Sequence, residues 1–108
     1  MANVFNNAVA NDIGTAESVI YTAPAGIKAI LIGCNLSNIS PGILPVSLML
    51  RKTTGDTYIV RDKRIKNGES EELMKGNKLI ILPGESLVAI TVEDNAFDAI
   101  ASVLVGVT

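Results

Sequence analysis

The sequence predicts an all-β protein: a single-domain β-sandwich or jelly roll of about eight mainly antiparallel strands, preceded by an extended N-terminal arm. Three observations predict it. Short apolar runs recur along the chain, each closed by Gly, Pro or Asn, and no stretch carries a convincing helical period. Phe97, Ala99, Ala101, Val103, Val105 and Val107 form an unbroken apolar face at strand period, and Ile100 and Leu104 partly cover the other face. Finally, 108 residues at 48% hydrophobic composition suffice for one core. That core must be aliphatic, because the aromatic residues are only Phe5, Tyr21, Tyr58 and Phe97.

Residues 1–16 are rich in Asn with scattered Val4, Phe5, Val9 and Ile13, and no period fits them. They read as an extended arm outside a sandwich domain at 17–108; ten extended residues reach roughly 33 Å, enough to lie across a neighbouring subunit. Glu17–Thr22 is β-branched and aromatic, a strand, and Ala23-Pro24-Ala25-Gly26 turns the chain. Ile27–Leu36 is the next strand, apolar on both faces, with Gly33 marking a bulge or a close backbone approach. Asn38–Pro45 reads as a loop. Val46–Lys52 alternates, with Val46, Leu48 and Leu50 on one side, and Thr53-Thr54-Gly55-Asp56 folds it onto Thr57–Lys63. Arg64–Gly68 connects, ending in the Asn-Gly turn signal, and Glu69–Met74 reads as a strand. Lys78–Val92 reads as an apolar hairpin folded back at Pro83-Gly84, the core of the fold. A final turn at Glu93–Ala96 leads into Phe97–Val107.

Composition removes several function classes. The chain lacks His and has one Cys, Cys34, so an intrachain disulfide, the usual zinc sets and Cys-His catalysis are all excluded. The formal net charge of -2 argues against a general nucleic-acid binder. Ala29–Leu50 is 22 residues without a charge, yet its middle holds Asn35, Ser37, Asn38, Ser40, Pro41 and Pro45. Two strands and a loop explain it, and no membrane span is expected. The first twelve residues show no basic region followed by an apolar core, so no secretory signal is expected either. Charged residues are 19% of the chain, against about 25% usually; so apolar a small body is expected to form a homo-oligomer.

Eight of the nine basic residues lie between Arg51 and Lys78, densest at Arg61, Lys63, Arg64 and Lys66. A solvated edge strand guarded by charge accounts for them, as does pairing between subunits with the acidic Glu69, Glu71 and Glu72 that follow. Glu93, Asp94, Asn95 and Asp98 crowd oxygen ligands into one turn, but their spacing matches no calcium loop. Cys34 lies in an apolar strand, as a small core residue does. Gly84-Glu85-Ser86 lacks the spacing of a nucleophile elbow. No acid–base pair emerges, so an enzyme, a metal or a cofactor is not expected. The candidate subunit or partner contacts are Val4, Phe5 and Val9 on the arm, with Arg61, Lys63, Arg64 and Lys66.

The opening MANVFNNAVA, then VIYTAPAG (Val19–Gly26), NLSN (Asn35–Asn38), LPGESL (Leu82–Leu87) and DAIASVLVGV (Asp98–Val107) resemble small β-sandwich virion structural proteins of tailed bacteriophages. In that group a Y-T-x-P-A-G turn precedes a long strand, and the chain ends in an apolar strand. The likeness covers nearly the whole length and is loose over Pro41–Met74. Its motifs are turn chemistry, so no functional residue is carried over. The resemblance implies a non-enzymatic component of the virion, assembled in the host cytoplasm. It implies a capsid decoration (cement) protein that binds and stabilises the shell, with the major capsid protein and other virion proteins as partners. A neck, tail or baseplate accessory protein is the alternative placement. A cellular carbohydrate- or peptide-binding sandwich is the alternative from another class; it would normally show exposed aromatic residues, and this chain has no Trp.

Overall fold

A computed structural model describes residues 4–107, which form nine strands and no helix. They are β1 (Val4–Ile13), β2 (Ser18–Thr22), β3 (Lys28–Asn38), β4 (Leu44–Lys52), β5 (Gly55–Ile65), β6 (Ser70–Glu72), β7 (Leu79–Ile81), β8 (Ser86–Thr91) and β9 (Phe97–Val107). All pairings are antiparallel. One sheet runs β1-β9-β3-β6, with β7 also on β3; the other runs β2-β8-β4-β5. The two sheets enclose an aliphatic core, so the fold is a β-sandwich.

Strand period explains which residues fill that core. On β9, Phe97, Ala99, Ala101 and Val103 are buried, while Ile100 and Ser102 between them are exposed. On the opposing sheet Leu87 and Ala89 of β8 and Val46, Leu48 and Leu50 of β4 point inward. β9 lies between β1 and β3. Gly33 sits at an irregularity in the β3–β9 register. A Cβ there would come within 3.1 Å of Glu72 Oε2, and the same carboxylate accepts the Cys34 amide hydrogen. Gly33 thus lets a carboxylate of β6 reach the β3 backbone.

Three expected elements differ. Lys78–Val92 is not a hairpin: β7 pairs with β3 in one sheet, and β8 lies between β2 and β4 in the other. The Pro83-Gly84 turn is real, with the Glu85 amide donating to Leu82 O at 2.9 Å and Gly84 at φ 85°. Its backbone, however, pairs with the turn after β2, through Ala23 N to Glu85 O and Gly84 N to Ala23 O, each 3.0 Å. The turn thus sends one apolar strand to each sheet. Second, Val4–Ile13, expected as an arm outside the domain, is extended but belongs to the sandwich, paired with β9 from Val4↔Val105 to Ile13↔Phe97. Third, the strand expected over Glu69–Met74 is three residues long, because Leu73 and Met74 turn into the core.

Asn38, expected to open a loop, ends β3 and ties that loop down. It is 1% exposed. Its carboxamide donates to Gly42 O and Ile65 O (2.9 and 2.7 Å) and accepts from the Ser40 amide and hydroxyl (2.9 and 2.6 Å). A buried carboxamide with both ends satisfied fixes the chain path from β3 to β4.

Candidate interaction surfaces

Alternation that buries one face of the β9 sheet exposes the other, and here the exposed face is striped. The registers Phe5↔Leu104, Leu104↔Ile30 and Ile30↔Ile80 place four large apolar side chains in one row across β1, β9, β3 and β7. Phe5 is 73% exposed and Ile80 56%, with Leu104 and Ile30 half-buried between them. The next row is polar or small: Asn7, Ser102 and Gly33, with the Ser102 hydroxyl donating to Asn7 Oδ1 at 3.2 Å. A second apolar pair follows, Val9 opposite Ile100, both exposed. Contiguous exposed apolar surface marks a contact with protein, membrane or ligand, or a face prone to aggregation.

The outer face of the other sheet carries the row Val19–Val88–Met49–Tyr58. Its ends are exposed, and Val88 and Met49 are buried between them. The Arg61 guanidinium sits 5.3 Å over the Tyr58 ring, a cation–π contact at the surface. Beside it a shallow depression of about 200 Å³ is lined by Pro45, Ser47, Asp62 and Ile90.

Of the residues singled out from sequence, Val4, Phe5 and Val9 share β1, but Val4 points to the opposite face from Phe5 and Val9. The basic cluster is divided. Lys63 reaches Glu71 of the other sheet at 3.3 Å, Arg61 lies on Tyr58, and Arg64 and Lys66 are exposed at the end of β5 and in the turn beyond it. No single basic patch results. Sequence reasoning missed Ile30 and Ile80 as surface residues, because an apolar run covers both faces of a strand and does not say which face stays open. Ile100 and Leu104 were visible as the second apolar side of the last strand.

The acidic turn after β8 is structural. Asp94 Oδ1 accepts the amide and hydroxyl of Thr15 (3.1 and 2.7 Å), and Asp98 Oδ1 accepts the Asp12 amide (3.1 Å). The Thr15 hydrogen bonds hold the Asp94 carboxyl below its usual range. Among the described residues no three His, Cys, Asp or Glu side chains gather as a metal site. A cleft of about 490 Å³ opens between β5 and the β6–β7 connection and is lined by Leu50, Ile59, Val60, Leu73, Met74 and Leu79 with Lys75 and Lys78. It contains neither carboxylate nor thiol. Cys34 is buried elsewhere, and burial, then the nearby Glu72 charge, pushes its thiol up to about 12. A thiol so protonated is a poor nucleophile.

No family model matches the chain, and no curated protein matches its sequence. Among solved structures the fold is similar to a Bacillus protein described under "endospore appendages form a novel family of disulfide-linked pili". The TM-score is 0.57 at 13% identity, over 96% of this chain and 87% of that one. The two chains share a β-sandwich architecture.

Proposed function

We propose that the chain is a non-enzymatic structural subunit of a tailed-bacteriophage virion, a capsid decoration protein that binds the shell and neighbouring copies of itself. The observation that carries this reading is the outward apolar row Phe5–Leu104–Ile30–Ile80 across β1, β9, β3 and β7. Covering the exposed part of Phe5 alone removes roughly 150 Å² from water, an upper bound of about 4 kcal/mol before the costs of association. Placement on a virion rests on the turn motifs, above all Tyr21–Gly26 and Leu82–Leu87. The fold likeness to a pilus protein supports an assembling subunit. The disulfide linkage named for that protein has no counterpart at Cys34, whose thiol is buried.

The test is cosedimentation of purified protein with phage shells lacking decoration proteins, together with the temperature at which those shells open. Saturable binding that raises the opening temperature is expected, and Ile80→Asp should weaken it. Binding to isolated tails with none to shells would move the protein to the neck or tail. Binding to neither would overturn the virion reading.

A further inference from the structure

The sandwich has several open strand edges, and all but one are blunted. β2 is five residues long with an irregular register, and β6 and β7 are three residues each. β5 is long, but it carries Arg61, Asp62, Lys63 and Arg64, and Asp62 at φ 53° breaks its regularity. Short length, charge and bulges are the devices by which proteins prevent edge pairing. β1 lacks them. From Val4 to Asn11 it carries no charge, no Pro and no Gly, and its one irregularity lies beyond Ala10. β9 occupies one side, and no strand among the described residues occupies the other. In mid-strand the Asn7 amide donates to the Asn6 side chain at 2.9 Å, a local bond that a ladder readily replaces.

We infer that this edge pairs with the same edge of a second copy, antiparallel about a two-fold axis at Asn7. The inference rests on reading the chain as an assembling subunit and names the seam. Two arguments select a second copy as occupant. A neutral edge set against itself meets no like-charge penalty, whereas a β5 edge set against itself would oppose its basic residues. The side-chain pattern is also self-complementary in one register. With Asn7 facing Asn7 of the second copy, Phe5 faces Val9, Asn6 faces Ala8, and Val4 faces Ala10. Odd residues stay on the outer face and even residues on the inner. The seam then joins the two apolar rows of the outer face. Ile80, Ile30, Leu104 and Phe5 of one copy run on into Val9 and Ile100 of the other, and the two-fold axis repeats the row. Each copy thus completes its neighbour's stripe, an isologous contact.

The experiment is a charge swap at the axis, read by sedimentation over a range of concentrations. Wild-type protein is expected to dimerise. Asn7→Lys and Asn7→Glu, at an exposed position, should each weaken dimerisation about tenfold or more, since each places like charges directly opposite. Their equimolar mixture should restore it. Asn7→Cys should form a disulfide-linked dimer on oxidation. Asn11→Cys should not, because in this register it lies about 27 Å from its own counterpart. A monomeric wild type, undiminished dimerisation by both charge variants, or efficient cross-linking through Asn11→Cys would each overturn the seam. Shell binding by a wild type that stays monomeric, lost in Asn7→Lys, would assign the edge to a strand of another protein and overturn self-pairing while leaving the structural role intact. A β1-linked dimer without affinity for any particle would do the reverse.

Discussion

The placement of β1 inside the sandwich is tested by two substitutions on that strand. Ile13 is fully buried, pairs with Phe97, and its carbonyl accepts the Ala96 amide at 2.9 Å. Ile13→Ala removes three carbons from the core, about 2.4 kcal/mol of transfer free energy at roughly 0.8 kcal/mol per carbon. The residual cavity adds to this, so a loss of about 3–4 kcal/mol is expected. Phe5, eight residues earlier, is 73% exposed, and Phe5→Ala should change monomer stability by under about 0.5 kcal/mol. Urea unfolding at low protein concentration reads both. With a slope of about 1–3 kcal/mol/M, Ile13→Ala should lower the midpoint by at least about 1 M, while Phe5→Ala leaves it nearly unchanged. If Ile13→Ala unfolds like wild type, β1 is not anchored in the core. If Phe5→Ala costs as much as Ile13→Ala, the exposed end of the strand is not a free surface.

Other expectations follow from the same geometry. A Cβ on Gly14 would meet Asp94 Oδ1 at 2.8 Å and Asp94 Cα at 2.9 Å; because one of these is backbone, Gly14→Ala should cost about 1–3 kcal/mol by thermal unfolding. The chain has no His, so stability should be flat between about pH 6 and 8. The Glu85 carboxylate, buried beside Lys52 at 2.7 Å and accepting the Leu82 amide, is held below its ordinary 4.5, as Asp94 is below its ordinary 3.8. A folded pKa below the unfolded one stabilises above the unfolded value and is lost as pH falls through the folded one. Stability should therefore fall below about pH 4.5, and less steeply in Glu85→Gln. Cys34 should resist alkylation at pH 8 until denaturant is added; rapid native labelling would refute its burial.

Much of the fold is legible in the chain because strand period and turn chemistry are local. Phe97–Val107 reads correctly from its odd positions, and Gly33 from its place within an apolar run. What fails is pairing. Pro83-Gly84 announces a turn whether the flanking strands pair with each other or part into two sheets. The deciding contacts, Ala23 with Gly84 and Glu85, join residues some sixty positions apart. β1 fails for a related reason: its Asn residues obscure the period, and Ala8 and Ala10 are recognisable as inward only once Ala101 and Ala99 lie opposite them. The candidate surface was half visible. Phe5 and Val9 stood out as apolar residues in polar surroundings, whereas Ile30 and Ile80 gain meaning only from the row that the registers assemble.

The proposed role, a subunit built into a particle through its open sheet face, is open to a direct test. Immunogold labelling of intact virions assembled with an epitope-tagged copy tests it most directly. Label distributed over the shell, and lost with Ile80→Asp while the protein remains folded, is the expected result. Particles free of label, with the tagged chain folded and recovered outside them, would contradict it.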